Sequence, residues 1–363
     1  MVTQIDRYLR ASLPVVRQTG VVRFAVSAFT LWFNQDSFYV KIIRGVRVTF
    51  QGLKTLGDFA DQFEATAPEG ELGELVAELH SLLNHPTLAR IRKNGPGRRL
   101  WSRLRADQAF RMWEKAAIER LLQLTYELDA LVAMADTVGE HDLVLPTIDT
   151  GAVSLQAEGL VHPFLTDPVA NPLHMDQSRR VLFLTGPNMA GKTTYLRAAA
   201  TAVYLAHLGM GVPANSFRFV PAQRLVTSIS VSDNLNGVSY FRAEALRVKA
   251  VAKAVADGYR VVAIMDEPFK GTNVKDAFDA SLAILQRFAT SRDCLFVVSS
   301  HLIELSEQLS DAPQVSYRYF EAQEQTDRLR FDYVLHEGVS DQRLGMRVLS
   351  EEGVFDLLDG NQR

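Results

Sequence analysis

The sequence predicts two parts, an all-α region followed by an α/β domain built on a mostly parallel sheet. Up to about residue 140, apolar side chains recur every three or four positions with charges between them, a spacing typical of amphipathic helices. After Leu145-Pro146, short β-rich runs alternate with helical runs, which favours parallel strands covered on both faces. We therefore predict a helical domain over residues 1–140 and an α/β domain over residues 141–363.

In the helical part, Leu, Val, Ile and Met at helical spacing predict helices over Glu71–Leu83 and Phe110–Met134. The second segment contains neither Gly nor Pro, so we expect one extended helix there. Between the two segments, Asn94-Gly95-Pro96-Gly97 predicts a turn.

In the α/β part, each of three apolar runs precedes a helical run. These strand and helix pairs are Val181–Thr185 with Thr193–Leu208, Val261–Met265 with Asp276–Phe288, and Cys294–Ser299 with Leu302–Leu309. Near the end, Val315–Phe320 and Arg328–His336 predict strands that pair across a polar turn. The only cysteine, Cys294, lies in one of these runs, so we expect a buried thiol, no disulfide and no cysteine-based zinc site.

The composition is that of a globular protein, with 47% hydrophobic and 22% charged residues and a net charge of −3. Overall charge therefore gives no attraction to nucleic acid, and any such site requires a local basic patch. Asp6 and Arg7 precede any apolar run, and the early apolar stretch Val21–Phe33 contains Arg23 and is too short to span a bilayer. We expect a cytoplasmic protein with no membrane partner.

The clearest motif runs from Gly186 to Thr193 and fits GxxxxGK[ST] between a predicted strand and a predicted helix. Glycines allow backbone N–H groups to point at phosphate oxygens, and the helix N-terminus favours negative charge. We expect Lys192 to reach the β- and γ-phosphates of a nucleotide and the Thr193 hydroxyl to bind Mg²⁺. The predicted nucleotide-binding residues are Gly186, Pro187, Asn188, Met189, Ala190, Gly191, Lys192, Thr193 and Thr194.

Two carboxylates, Asp266 and Glu267, follow the apolar run Val261–Met265. Ligands of parallel sheets bind at the carboxyl ends of the strands, so this position suits a catalytic site. We expect Asp266 to hold Mg²⁺ through water and Glu267 to orient and deprotonate the attacking water. The next strand ends in His301, which can sense the γ-phosphate and polarise the same water.

Four segments together resemble the ATPase domain of the MutS family of DNA mismatch repair proteins, which are ABC-type ATPases. The segments are TGPNMAGKTTYLR, MDEPFKGTN, the Ser299–His301 strand end and Asp233–Glu244. The Asn-Met pair inside the phosphate loop is a mark of that family. The resemblance covers about residues 115–363, with Leu121–Thr137 similar to the returning lever helix and Val161-His162-Pro163 similar to the start of the ATPase domain. It implies an ABC-type P-loop ATPase domain behind a helical core and lever.

The resemblance also implies roles for further residues. Ser239, in Ser-Tyr-Phe-Arg-Ala-Glu, matches the family's Ser-Thr-Phe-x-x-Glu, whose serine contacts the γ-phosphate bound by the other subunit. ATP and Mg²⁺ as cofactors and a homodimer follow from this match. Leu173 and Tyr333 stand where the family packs the adenine, although ordinary core packing explains such residues equally well.

The sequence departs from the family pattern in two respects. Fewer than 190 residues precede the phosphate loop and no Phe-x-Glu triplet opens the chain, so we expect no mismatch-recognition domain, and we expect no nuclease module after Arg363. Asn236-Gly237-Val238 lacks the family's arginine and is one residue shorter than the usual loop before the serine.

A basic stretch surrounds the predicted Gly/Pro turn and includes two tryptophans, a combination that can follow a phosphate backbone. Its members are Arg90, Arg92, Lys93, Arg98, Arg99, Arg103, Arg105 and Arg111, with Trp101 and Trp113 among them. The alternative is a solvated helix pair neutralised by the acidic segment Asp58–Glu78.

Two functions are consistent with these observations. The first is a DNA-binding ATPase of the mismatch repair or recombination type, an ATP-gated dimeric clamp on duplex or branched DNA with a possible repair-protein partner. The second is an ATP-switched protein-interaction module that does not bind DNA. A small-molecule or nucleoside kinase fits less well, because a kinase needs neither the Ser239 segment nor Gly271-Thr272-Asn273.

Overall fold

The computed structural model describes residues 1–11, 37–64, 66, 68–229, 240–325, 328–340, 342, 349–350 and 353–360. The chain divides into two compact units, Met1–Ala133 and Met134–Arg363.

In the first unit, the described residues form helices. They are α1 Val2–Arg10, α2 Ser37–Glu64, α3 Gly70–Leu83, α4 Pro86–Asn94, α5 Leu100–Gln108, a π-helix Ala109–Trp113, and α6 Lys115–Glu140, whose last residues belong to the second unit. Apolar side chains that recur at helical spacing meet in one core, where Ile42, Leu79 and Phe110 are fully buried. Pro86 begins α4, where the N–H group that proline lacks would have no helical partner.

The prediction of one helix over Phe110–Met134 is wrong at its start. Phe110 lies in the π-helix, whose wide turn is closed by the bond from the Glu114 N–H to the Ala109 carbonyl, and α6 begins only at Lys115. A π-turn keeps apolar residues at nearly helical spacing, so hydrophobic periodicity does not distinguish it from an α-helix.

The second unit contains twelve strands and five helices among its described residues, besides the end of α6. The strands are β1 Thr147–Ile148, β2 Leu155–Leu160, β3 Asn171–Met175, β4 Val181–Thr185, β5 Ser216–Phe219, β6 Arg224–Ser228, β7 Val261–Asp266, β8 Cys294–Ser299, β9 Val315–Tyr319, β10 Ala322–Gln325, β11 Arg328–Phe331 and β12 His336–Glu337. The helices are α7 Lys192–His207, α8 Tyr240–Ala256, α9 Val274–Thr290, α10 Leu305–Gln308 and α11 Val354–Gly360.

The central sheet has six strands in the order β12-β9-β4-β8-β7-β6, and every pair except β12 with β9 is parallel. Strands β4 and β8 are buried along their whole length, because helices cover both faces. Leu182 and Leu184 pack with α7 on one face, whereas Val181 and Phe183 share the core of α8 and α9 on the other. Cys294 lies in β8 and is buried, as predicted.

Two parts of the sheet structure differ from the sequence prediction. A second sheet, in the order β1-β5-β2-β3, was not predicted at all. The strands expected to pair across one polar turn form two arrangements instead: β10 pairs with β11 as a hairpin, and β9 pairs with the short β12 through Tyr319 and His336. The predicted strand Arg328–His336 is thus split into β11 and β12.

None of the helices within the described ranges combines the length and the apolar composition needed to cross a bilayer.

Candidate nucleotide-binding site

The glycine-rich segment leaves the carboxyl end of β4 and leads directly into α7. Gly186 has φ +134°, and a side chain there would place its Cβ 2.5 Å from the carbonyl oxygen of Phe320. Gly191, with φ +108°, comes immediately before the first residue of α7. Both positions need a backbone conformation that glycine adopts readily and other residues rarely do.

Lys192 turns its ammonium group into the loop that precedes it. Its Nζ donates to the carbonyl oxygens of Gly186 (2.6 Å) and Pro187 (3.1 Å), and the residue is only 5% exposed. Burial lowers the pKa of Lys192 below its usual value, while the carboxylates of Glu267 and Asp266 act in the opposite direction. The ammonium group of Lys192 therefore lies at the place where the motif predicts phosphate oxygens.

Asp266, the last residue of β7, joins the phosphate loop to the neighbouring strand. Its Oδ2 accepts from the hydroxyl of Thr193 at 2.7 Å, and its Oδ1 accepts from the hydroxyl of Ser299. Ser299 stands opposite Asp266 because β7 and β8 are parallel and in register. A hydroxyl and a carboxylate are oxygen ligands of the kind that Mg²⁺ prefers, so Thr193 and Asp266 fit such an ion.

Glu267 follows Asp266 in a left-handed backbone conformation, with φ +46°. Its N–H donates to Ser299, both to the carbonyl oxygen and to Oγ, at 3.1 Å each. The Glu267 side chain is 20% exposed, and its Oε1 lies 4.0 Å from Nδ1 of His301. The carboxylate is thus open to a water molecule while its backbone is fixed to β8.

These residues border a cavity of about 690 Å³ in the second unit. The predicted site residues that line it are Pro187, Asn188, Met189, Gly191, Lys192, Thr193, Thr194, Asp266, Glu267 and Tyr333. Gly186, Ala190 and His301 are not among the lining residues, although Gly186 contacts Lys192 and His301 lies beside Glu267. The volume is in the range of ligand pockets of this kind.

The structure does not bring Leu173 to this cavity. Leu173 is 1% exposed in β3 and packs in the core of the second unit, so the geometry gives no support to an adenine contact there. Tyr333, the other residue predicted beside the base, does line the cavity and is partly exposed.

Several lining residues were not predicted as site residues. They include His162, Leu165, Val169, Asn171 and Lys270. The amide of Asn171 donates to the Tyr333 carbonyl (2.9 Å), and its oxygen accepts from the Leu335 N–H (2.7 Å), which fixes the segment that carries Tyr333. His162 and Lys270 belong to sequence segments already singled out by resemblance, whereas nothing in the local sequence marks Asn171.

Ser239 and Asn236-Gly237-Val238 lie outside the described residues. Tyr240, the first residue of α8, is the next residue that the structure describes.

The basic stretch of the first unit borders a separate groove of about 540 Å³, lined among others by Arg90, Arg105 and Trp113. Trp113 is 56% exposed, and no ion pair in the described part of the chain joins Arg98, Arg99 or Arg105 to a carboxylate. The inclusion of Arg111 in the basic cluster is wrong. Its guanidinium is buried and forms two hydrogen bonds with Asp107, at 2.7 and 2.5 Å, because it belongs to the π-helix that faces the core.

A phosphate loop at the end of a buried parallel strand, with a hydroxyl–carboxylate pair beside it, defines a P-loop nucleotide-binding domain. Residues 182–356 match the family model described as MutS domain V, which is the ABC-type ATPase domain of that family. This match supports the assignment of the chain to the MutS family.

Proposed function

We propose that the chain binds ATP with Mg²⁺ in the cavity of the second unit and hydrolyses it to ADP and phosphate. The observation that carries this proposal is the hydrogen bond from Thr193 to Asp266 (2.7 Å), with Glu267 as the next residue. It joins the hydroxyl of the phosphate loop to the strand-end carboxylates, which is the arrangement that nucleotide hydrolysis in P-loop proteins needs.

Each residue then has a distinct part. Lys192 exchanges its bonds with the Gly186 and Pro187 carbonyls for bonds to the β- and γ-phosphates. Thr193 and Asp266 hold Mg²⁺, which neutralises phosphate charge when bound. Glu267 orients the attacking water and accepts its proton. His301 is 55% exposed and lies 4.0 Å from Glu267, so its imidazole would polarise the same water.

The variant Glu267→Gln tests this assignment. Glutamine keeps the shape of the side chain but cannot accept the proton, so we expect ATP affinity to be retained and hydrolysis to fall by about 10²–10⁴-fold. Calorimetric titration with ATP and a phosphate-release assay measure the two quantities. Glu307→Gln, an exposed glutamate on α10, is the matched control and should hydrolyse ATP normally. Turnover by Glu267→Gln near the wild-type rate would show that another group is the base.

We further propose that the active form is a homodimer in which Ser239 of one subunit contacts the γ-phosphate bound by the other. The support is the match of the Ser239 segment to the family motif, since the serine itself lies outside the described residues. In this arrangement ATP closes the dimer and hydrolysis reopens it.

For the partner of the first unit, we propose the phosphate backbone of duplex or branched DNA. The support is the groove lined by Arg90, Arg105 and Trp113, where two arginines that form no ion pair with a carboxylate among the described residues border an exposed aromatic ring. Glu78, in the acidic segment that could have neutralised this stretch, pairs instead with Arg120 at 2.7 Å. The alternative is a protein partner, for which the same helical surface would serve without DNA.

Replacing Arg98, Arg99, Arg103 and Arg105 by alanine discriminates between these partners. If they contact phosphates, DNA affinity should fall equally for all sequences, and the slope of log K against log salt should flatten by about 0.9 for each lost contact. Fluorescence anisotropy with linear and four-way-junction DNA over a salt series gives the slope.

The matched control replaces four exposed cations of the second unit by alanine. They are Lys249, Lys253, Lys275 and Arg292. An unchanged slope in the first variant would place the DNA surface elsewhere. If the wild-type chain bound no DNA even at low salt, the protein-interaction alternative would be favoured.

A further inference from the structure

The first turns of α8 contact the loop that follows Glu267. Glu244 is 4% exposed, and its Oε2 accepts the backbone N–H of Gly271 at 3.1 Å. Three residues earlier on the same helix, the Phe241 ring lies 5.9 Å from the Phe269 ring, centroid to centroid. Two independent contacts therefore join α8 to this loop, one polar and one apolar.

The loop needs such support because its backbone is strained at two positions. Glu267 has φ +46° and Phe269 has φ +68°, and neither is glycine. A bulky side chain in the left-handed region is uncommon and persists only where the surrounding structure holds it. Phe269 is buried in the same core cluster as Val248 and Val251 of α8, so this helix forms part of the surface against which the loop is held.

A carboxylate is an expensive group to bury, which makes a purely structural role for Glu244 a weak explanation. Burial raises the pKa of Glu244, and the hydrogen bond from Gly271 and the charges of Lys270 and Arg247 act in the opposite direction. An apolar side chain would fill this position without that cost. What a glutamate provides at this position, and an apolar residue would not, is the hydrogen bond from the Gly271 N–H.

We propose that Glu244 is a positioning residue for ATP hydrolysis: by holding the backbone at Gly271, it fixes the strained loop that sets the direction of the Glu267 carboxylate. The proposal rests on the proposed role of Glu267 as general base. Glu244 itself is not among the residues that line the nucleotide cavity, so it acts through the loop and not on the nucleotide.

Three variants test the role. Glu244→Met keeps the length and apolar packing of the side chain but offers no comparable acceptor, so kcat should fall about tenfold or more while the Kd for ATP changes less than about threefold. Glu244→Gln retains a side-chain oxygen that can accept the Gly271 N–H and should recover kcat to within about threefold of wild type. Lys253→Met puts the same new side chain on an exposed position of α8 and controls for the substitution.

A second measurement separates positioning from general damage to the fold. In the Glu267→Gln background the base is absent, so adding Glu244→Met should lower the residual single-turnover rate by less than about twofold. A further drop as large as in the wild-type background would overturn the positioning role. Wild-type kcat in Glu244→Met, with hydrolysis lost in Glu267→Gln, would also overturn it and leave the proposed function standing. Wild-type kcat in Glu267→Gln would overturn both.

Discussion

Tyr8 donates its hydroxyl to Asp107, which also binds the guanidinium of Arg111, and all three residues are buried in the helical unit. Burial, followed by the charge of Asp107, raises the pKa of Tyr8 above its ordinary value of 10.0. The ring of Tyr8 also lies under the Arg111 guanidinium, 5.6 Å from its central carbon. This network binds α1 to the turn where α5 passes into the π-helix.

The raised pKa of Tyr8 predicts how stability depends on pH. The folded unit keeps the phenol proton after the unfolded chain has lost it, so the stabilising contribution is complete below pH 10.0 and decreases above that value. The free energy of unfolding should then fall by up to about 1.4 kcal/mol per pH unit, and Tyr8→Phe should remove this part of the slope.

Urea unfolding between pH 8 and pH 11.5 measures the effect, with tryptophan fluorescence as the probe because Trp32, Trp101 and Trp113 all precede residue 134. Tyr126→Phe, at an exposed position of α6, is the control and should leave the slope as it is in wild type. Equal slopes in wild type and Tyr8→Phe would contradict the prediction.

At the scale of elements, the start of the phosphate loop lies so close to Phe320 that Gly186 leaves no room for a side chain. In Gly186→Ala, the added Cβ would lie 2.5 Å from a backbone oxygen that cannot rotate away, and φ +134° would be strained for alanine. We expect ATP affinity to fall by about tenfold or more because the loop must shift. Calorimetric titration with ATP measures the loss.

Gly139→Ala is the matched control, because nothing lies within 4 Å of the Cβ it would add and its φ is not positive. It should bind ATP like the wild type, and the protein should be slightly more stable because alanine favours the helix α6. If Gly186→Ala bound ATP with wild-type affinity, the prediction would be wrong, and the backbone at Phe320 would have to move aside at little cost.

The elements that the sequence predicted well are those whose signal is local. Strand β4 and its phosphate loop follow from an uninterrupted apolar run and from glycines at fixed spacing, and β7 with Asp266 follows in the same way. The sheet β1-β5-β2-β3 escaped prediction because β1 has two exposed residues and β2 alternates buried with exposed ones around small side chains. The partners of such strands are decided by contacts distant in sequence.

The site residues also differ in whether a local sequence signal or a contact distant in sequence determines their place. Lys192 and Thr193 belong to the phosphate-loop motif and Asp266 to the end of an apolar strand, and the hydrogen bond from Thr193 brings the two segments together. Only the resemblance points to Leu173, and the alternation of side chains along β3 places this residue in the core and not at the cavity. Asn171 could not be found from sequence, because two of its side-chain hydrogen bonds reach a segment more than 160 positions away.

At the scale of the whole molecule, a monomer with this site lacks a group to cap the γ-phosphate if Ser239 acts in trans. Lys192→Ala and Ser239→Ala should each be inactive as homodimers, but a mixture should recover activity, because each heterodimer then keeps one intact composite site. About a quarter of the wild-type activity is expected from a random equal mixture, in which half of the dimers are heterodimers with one site each.

Steady-state phosphate release after mixing measures the recovery, and mass photometry verifies that heterodimers have formed. Mixing Lys192→Ala with Glu267→Gln is the control. Lys192 and Glu267 of a given site come from the same subunit, so each of the two sites in this heterodimer carries one of the substitutions. This mixture should therefore stay inactive. Inactive mixtures despite heterodimer formation would exclude the trans role of Ser239.

The chain's single thiol lies in the central sheet of the second unit. Cys294 is 1% exposed in β8, between β4 and β7, and burial raises its pKa, so a thiol reagent can reach it only after the sheet opens. The rate at which a thiol reagent modifies Cys294 in the unaltered protein consequently measures how often the sheet opens. The factor by which ATP or ADP slows this modification measures how strongly each nucleotide stabilises the domain. Because the only cysteine is buried, the folded protein offers no thiol on its surface to maleimide dyes. One introduced cysteine therefore suffices to attach a fluorophore at a chosen position.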